Sequence, residues 1–162
     1  MISYKYKLYK TKNSKHIDFM LRESCFVWNH ALALQKRYYR LYGKVIDKNK
    51  LQKHFAKRIK ISLLHSQTVQ EVIQRLDDSY TRFLKKLSKR PPKFKKHTQF
   101  SSFNYKEGGF SINGNTIALN TIKKVFKFKF SKSREFEGKI KLVTIKRTPI
   151  GEYYLIIDTD AN

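Results

Sequence analysis

Cysteine is nearly absent from this sequence, and its scarcity excludes several classes of protein. Cys25 is the only cysteine among 162 residues, so neither an internal disulfide nor a cysteine-rich zinc site can form. No apolar run approaches the roughly 18 to 20 residues that a membrane-spanning helix needs. The first residues alternate polar and apolar side chains instead of forming the apolar core of a signal peptide. We therefore expect a chain of a reducing, cytoplasmic compartment, with no membrane partner and no cofactor.

Acidic residues are also scarce. The chain has 12 Asp and Glu against 36 Lys and Arg, which gives a formal net charge of +24. Self-repulsion at this charge density disfavours a small-metabolite enzyme and favours a polyanionic partner, nucleic acid before an anionic membrane surface. Hydrophobic residues make up 40% and aromatic residues 14% of the chain, which is too apolar for a disordered basic tail. The composition therefore predicts a folded domain that binds a polyanion.

The few carboxylates form no recognisable catalytic pattern. Hydrolysis of a phosphodiester with metal ions requires several carboxylates that converge on the ions. Asp77 and Asp78 are adjacent in a helical pattern, so their side chains diverge. Asp158 and Asp160 could point the same way from the end of a strand, but without a third carboxylate. Cys25 falls on the apolar stripe of the first helix. We therefore predict no catalytic residue, no metal site and no enzymatic activity.

The N-terminal half of the sequence changes from a strand pattern to a helical one. Residues 2–8 alternate apolar and polar side chains, which is typical of a half-buried strand. Apolar residues then recur at helical spacing from Ser14 to about Tyr42, and Gly43 ends this helix. Asp47 and Ser66 are candidate N-caps of a second and a third helix. These patterns predict a bundle of about three helices.

The C-terminal half has a β pattern. Consecutive prolines at 91 and 92 end the helical region. The turn sequence Asn113-Gly114-Asn115 lies between two short strand patterns and predicts a hairpin. Further alternating segments follow at residues 125–130, 139–147 and 153–157. We predict an α+β fold, in which antiparallel strands surround a helical insertion after the first strand, and a short β-barrel suits the strand count.

The positive charge is concentrated in two regions. Nine basic residues and no acid occur from Arg82 to Lys106, and Phe94, Phe100, Phe103 and Tyr105 are interleaved with them. Cations can neutralise phosphates and aromatic rings can stack on unpaired bases, although a solvated linker anchored by its aromatics is an alternative. The second group lies on the β half, where alternation places Lys127 and Lys129 opposite three phenylalanines. That lysine face could lie against a phosphate backbone or serve solubility alone.

The order of several motifs resembles that of TnpB (OrfB) proteins, which insertion sequences encode and which are relatives of type V CRISPR effectors. The likeness is carried by the segments Phe26-Val27-Trp28-Asn29-His30, Ser66-Gln67-x₂-Gln70, Pro92-Lys93-Phe94-Lys95, Ser102-Phe103-Asn104-Tyr105 and Gly151-Glu152-Tyr153-Tyr154. These segments extend over essentially the whole chain in one order. The match is therefore more specific than any single motif.

The resemblance implies a fold and a set of partners. In that family the N-terminal half is a barrel-like antiparallel wedge domain, interrupted by a helical recognition lobe that is often described as a helix-turn-helix. The corresponding ranges here are 1–10 for the first wedge strand, 11–90 for the recognition lobe, 91–108 for a basic connector and 109–162 for the remaining wedge strands. The implied partners are a guide-type RNA and transposon-end or target DNA.

The family's nuclease parts have no counterpart in this sequence. Three catalytic carboxylates and a four-cysteine zinc ribbon follow the wedge domain in TnpB proteins, and one cysteine cannot build the ribbon. The resemblance therefore implies a chain truncated before the nuclease domain, which binds RNA and DNA without cleaving them unless a nuclease partner acts in trans. Two alternatives remain: an inactive fragment of a longer RNA-guided endonuclease, and a general RNA-binding or ribosome-associated basic protein.

The resemblance also suggests binding residues. By position, Ser66, Gln67 and Gln70 correspond to the helix start that faces the DNA motif next to the transposon, and Asn104 and Tyr105 to the neighbouring loop. Glutamine and asparagine can bond adenine edges, although an ordinary exposed helix surface is an alternative for the two glutamines. We expect the connector residues Lys93, Phe94, Lys95 and Lys96 and the strand residues Lys127 and Lys129 to contact nucleic acid, the lysines through its phosphates.

Overall fold

A strand followed by three helices opens the chain in the computed structural model, which describes residues 1–61 and 63–162. Six further strands follow the helices. The elements are β1 (Ile2–Leu8), α1 (Ser14–Tyr42), α2 (Lys48–Arg58), α3 (Ser66–Leu84), β2 (Ser102–Tyr105), β3 (Phe110–Asn113), β4 (Thr116–Asn120), β5 (Val125–Lys129), β6 (Ile140–Arg147) and β7 (Tyr153–Thr159). The predicted α+β class is confirmed, and so is the position of the helices after the first strand.

The strands form two antiparallel sheets. The first has the order β1-β7-β6-β2 and the second the order β3-β4-β5. They meet at a bridge between Leu8 and Phe130, where the Tyr9 amide donates to the Lys129 carbonyl at 2.9 Å. A barrel needs continuous strand pairing around its circumference, whereas the described strands form two sheets that meet at the isolated Leu8–Phe130 bridge. The barrel-like arrangement expected from the strand count is therefore not confirmed.

Strand β2 lies inside the range that the resemblance assigned to a connector. Residues 102–105 pair with β6, in the register Phe103 with Ile145 and Tyr105 with Val143. Both aromatic side chains are fully buried, so this part of the basic segment belongs to the sheet and its core. The connector between α3 and β2 therefore occupies residues 85–101, so it begins and ends earlier than the range 91–108 that the resemblance assigned.

The ends of the helices follow local rules, with one correction. Gly43 ends α1 in a left-handed conformation (φ 66°), which glycine adopts without strain, and its amide donates to the Tyr39 carbonyl at 2.8 Å. Ser66 was expected to cap α3, but it is already the first helical residue. The N-cap is instead His65, which has an extended backbone conformation and directly precedes the helix. Its Nδ1 accepts a hydrogen bond from the Gln67 amide at 3.2 Å.

One hydrophobic core joins the helices to both sheets. It combines one face of α1 and α3 with the inward residues of the strands, including Tyr6, Phe103 and Phe128. Strand β5 shows the alternation predicted from its sequence, since Phe126 and Phe128 are buried while its lysines are exposed. None of the helices that the structure describes is long and apolar enough to cross a membrane.

Candidate nucleic-acid interface

The basic connector is attached to α1 through its backbone. The indole N–H of Trp28 donates to the Lys93 carbonyl at 2.8 Å. The side-chain amide of Asn29 bonds both backbone groups of Lys95, accepting from its N–H at 2.8 Å and donating to its carbonyl at 2.7 Å. Because these bonds use only the backbone, the side chains of Lys93 and Lys95 remain available to a ligand.

Two lysines of this region lie over aromatic rings. The Lys95 ammonium is 4.2 Å from the centroid of the Trp28 ring, and the Lys36 ammonium of α1 is 4.7 Å from that of Phe94. Burial lowers the pKa of Lys95, and the positive charge of Arg75 lowers it further. A bound phosphate would oppose this lowering, because an anion beside the ammonium favours its charged form.

The cations of the connector lack acidic partners. They are Lys85, Lys86, Lys89, Arg90, Lys93, Lys95 and Lys96, to which Arg82 in the last turn of α3 is added, and all of them are exposed. None forms an ion pair with a residue that the structure describes, whereas ion pairs elsewhere hold Lys7, Lys106, Lys132, Lys139 and Arg147. Most other basic residues of the described chain also lack an ion pair, and what distinguishes residues 82–96 is that they contain eight cations and no acid.

An open cleft of about 430 Å³ lies within this charged region. It is lined by Trp28 and by residues from the end of α3, the turn that follows and the two consecutive prolines. The basic side chains that line it are Arg82, Arg90, Lys93 and Lys95, together with the hydroxyl-bearing Ser79 and Ser88. Guanidinium, ammonium and hydroxyl groups are donors suited to phosphate oxygens.

The predicted residues at the start of α3 differ from one another in their surroundings. Ser66 and Gln70 are exposed, and no hydrogen bond joins the Gln70 side chain to a described residue. Gln67 instead packs against the β2–β3 turn, where its Nε2 donates to the Glu107 carbonyl at 3.0 Å. Its Oε1 is buried without a hydrogen-bond partner among the described residues. The Gln70 side chain is thus available to a ligand, whereas the Nε2 group of Gln67 is already used in a hydrogen bond within the fold.

The two predicted residues on β2 are internal contacts. Asn104 Oδ1 accepts from Arg75 Nη2 and from Thr144 Oγ1, both at 3.0 Å. The Tyr105 ring is fully buried, and its hydroxyl donates to the Asn120 carbonyl at 2.8 Å. Burial raises the pKa of Tyr105 far above its usual range. Tyr105 presents no ring face to a base in this structure, so we omit it from the proposed binding surface.

Lys127 and Lys129 occupy a separate face of the second sheet. Their cross-strand neighbours on β4 are Ala118 and Thr116, so the outer face of this sheet is small, polar and basic. It forms one wall of an open cleft that also includes Thr11 and Asn13, next to the start of α1. The predicted alternation is confirmed, and this face and the connector are two distinct basic surfaces.

The carboxylates weighed as a metal site are engaged in the fold. Asp158 accepts a hydrogen bond from the Ser3 hydroxyl, and Asp160 accepts from the Lys139 backbone amide at 2.7 Å. Among the described residues, no group of three or more His, Cys, Asp or Glu side chains could hold a metal ion. Cys25 is buried, and its thiol contacts the Lys95 carbonyl at 3.2 Å.

The structure also identifies residues that the sequence did not single out as a site. The last two turns of α1 carry exposed tyrosines and cations next to Phe94. A signal for this surface was present, because residues 24–46 contain no Asp or Glu. Tyr38 and Tyr42 continue the apolar spacing of the core-facing stripe of α1, so the sequence pattern assigned them to the core and not to an exposed surface.

Comparison with protein-family models found no match for this chain, and comparison with curated proteins found no significant relative.

Proposed function

We propose that this chain binds RNA and DNA and is the equivalent of the wedge and recognition parts of a TnpB/OrfB-like transposon protein. The observation that carries the proposal is the segment from Arg82, in the last turn of α3, to Lys96 in the connector, where eight exposed cations occur without any acid and without an acidic partner among the described residues. Folding alone does not favour such a concentration of like charge, whereas a polyanion compensates it.

The connector supplies phosphate contacts from a fixed backbone. Trp28 and Asn29 hold Lys93 and Lys95 by hydrogen bonds, so less conformational entropy is lost when these lysines bind a ligand. Phe94 is 52% exposed and offers a ring to an unpaired base. Phosphate contacts fix register and orientation without reading sequence.

In this proposal, residues at the start of α3 recognise the base sequence of the nucleic acid. Ser66 and Gln70 are exposed there, and a glutamine amide can bond an adenine edge in the major groove. The two sheets take the place of the wedge domain, with Lys127 and Lys129 lying against a nucleic-acid backbone. The proposal gives these residues no catalytic step.

The salt dependence of binding tests the proposal. We expect the chain to bind a structured RNA and a DNA duplex, with log affinity falling linearly as log salt rises from 50 to 200 mM. Fluorescence anisotropy with labelled RNA measures this dependence. A flat salt response, or no binding at 50 mM salt, would contradict nucleic-acid binding.

A competition experiment distinguishes a TnpB-like protein from a general RNA-binding protein. A structured transposon-end RNA should outcompete an unrelated folded RNA of the same length. Equal affinities for the two RNAs would favour a general RNA-binding protein. This outcome would retain nucleic-acid binding and remove the TnpB-like assignment.

A further inference from the structure

We propose that the C-terminal end of α1 is a stacking surface for unpaired nucleotides, a role that rests on the proposed function and extends it. The surface, here called the α1 tip, consists of residues 36–44. Its exposed rings are Tyr39 and Tyr42, with exposed fractions of 51% and 63%. Beyond Gln35, none of the described residues of α1 is fully buried, so this end of the helix contributes its side chains to solvent and not to the core.

The charge of the α1 tip selects an anionic ligand. Lys36, Arg37, Arg40 and Lys44 lie in this segment, and residues 24–46 contain no Asp or Glu. None of these four cations forms an ion pair with a described residue. An acid-free, cationic helix end carrying exposed tyrosines favours phosphates accompanied by flat apolar groups. Nucleic acid provides both together.

The geometry favours unpaired bases over a duplex. Tyr38 and Tyr42 already contact each other, with ring centroids 4.7 Å apart, so the outer face of Tyr42 is the one left to a ligand. Tyr39 lies three residues before Tyr42, on the same side of the helix. Stacking needs the face of a base, which is accessible in single strands and hidden inside a duplex.

The α1 tip is continuous with the connector. The Lys36 ammonium lies over the exposed ring of Phe94, 4.7 Å from its centroid. On a helix, Tyr39 and Arg40 follow Lys36 by three and four residues and therefore share its side. An unpaired strand that contacts Phe94 can thus continue along Lys36 to Tyr39 without leaving basic surface.

The test compares strands that differ in base accessibility. The double variant Tyr39→Leu/Tyr42→Leu keeps apolar bulk but removes both rings. We expect its affinity for an unpaired RNA or single-stranded DNA of the same sequence to fall at least 5-fold, within the range of about 5- to 150-fold that loss of one stacked base produces. Affinity for a duplex should change less than 2-fold. Running RNA and DNA in parallel shows which strand the surface prefers.

Three controls make the result specific. Tyr39→Phe/Tyr42→Phe retains the rings and should bind like the wild type. Phe19→Leu removes a 44% exposed ring from the same helix but outside the acid-free segment, since Glu23 lies four residues further along. This variant should bind the single strands with wild-type affinity. An abasic strand with the same number of phosphates should bind wild type and the leucine variant equally. Circular dichroism of each variant verifies helix content.

The outcomes distinguish this inference from the function on which it rests. Unchanged single-strand affinity in the leucine variant, or an equal loss for duplex and single strand, would overturn the stacking surface while leaving nucleic-acid binding intact. If the wild-type chain binds none of the strands at 50 mM salt, the proposed function and this inference both fail.

Discussion

The side-chain amide of Asn29 bonds both the N–H and the C=O of a single residue, Lys95, at 2.8 and 2.7 Å. The same arrangement recurs six residues further along α1, where Gln35 accepts from the Ile46 amide at 2.9 Å and donates to its carbonyl at 3.0 Å. One helix thereby fixes two extended segments through amide side chains. These contacts tie the loop after α1 and the basic connector to the helical bundle.

Asn29→Ala tests the attachment of the connector. The variant loses two hydrogen bonds, so we expect the free energy of unfolding to fall by about 1 to 3 kcal/mol. Because the contact is partly exposed, water can replace some of the lost bonding, and the lower half of that range is expected. Urea unfolding measures the change, with the exposed helical Asn49→Ala as the control. Identical urea midpoints for Asn29→Ala and the wild type would show that the connector is held by other contacts.

Neutralising the connector should change the salt dependence of binding. In Lys93→Gln/Lys95→Gln/Lys96→Gln, three candidate phosphate contacts are lost, and the slope of log affinity against log salt should decrease by about 2 to 3. The matched control replaces three lysines that form ion pairs, Lys7, Lys132 and Lys139, by glutamine. It removes the same charge, so an equal change in slope for both triple variants would mean that only net charge matters.

The two glutamines at the start of α3 should have different roles: Gln67 in stability and Gln70 in recognition of DNA bases. Gln67→Ala loses the bond to the Glu107 carbonyl, and we expect the free energy of unfolding to fall by about 1 kcal/mol. Gln70→Ala should leave stability unchanged. Where Gln70 bonds an adenine, its loss should reduce discrimination between DNA sites by about 1 to 3 kcal/mol. Urea unfolding and binding to a panel of duplexes provide the two measurements. Discrimination retained in Gln70→Ala would remove it as a reading residue.

The packing of α1 on α2 should be sensitive to acid. His30 lies between the rings of Phe26 and Phe55 and stacks on His54 of α2 with centroids 5.8 Å apart. Burial lowers the pKa of His30, and the neighbouring His54 lowers it further. The folded state therefore disfavours the charged form of His30 relative to the unfolded chain. Stability is complete above the ordinary histidine pKa of about 6.5 and declines as pH falls through that value.

Thermal unfolding at pH 7.5 and pH 5.5 measures this decline. His54→Gln removes the neighbouring imidazole and should reduce the loss on acidification, whereas His97→Gln in the exposed connector should behave like the wild type. His16 also has a pKa lowered by burial, so the comparison is made between variants and not on the wild type alone. An identical pH response in all three proteins would exclude the His30–His54 contact as its source.

The elements of the fold could be predicted from local sequence, and the connections between them could not. The end of α1 at Gly43 follows from the φ that glycine alone adopts without strain, and the β3–β4 hairpin follows from its Asn-Gly-Asn turn. The N-cap of α3 was misplaced by one residue, because His65 competes with Ser66 through a ring nitrogen. The division into two sheets depends on pairing between distant strands, which a single sequence does not encode locally.

The candidate site divides in the same way. The sequence by itself determined the excess of positive charge, the acid-free connector and the alternation that exposes Lys127 and Lys129, because composition and period two are local properties. Only the tertiary structure decided that Tyr105 is core, that Asn104 bonds Arg75, and that α1 positions the connector. An aromatic or amide side chain can be buried in the core or exposed to a ligand, depending on which residues pack against it. Those residues are far apart in the chain, so the local sequence does not determine the outcome.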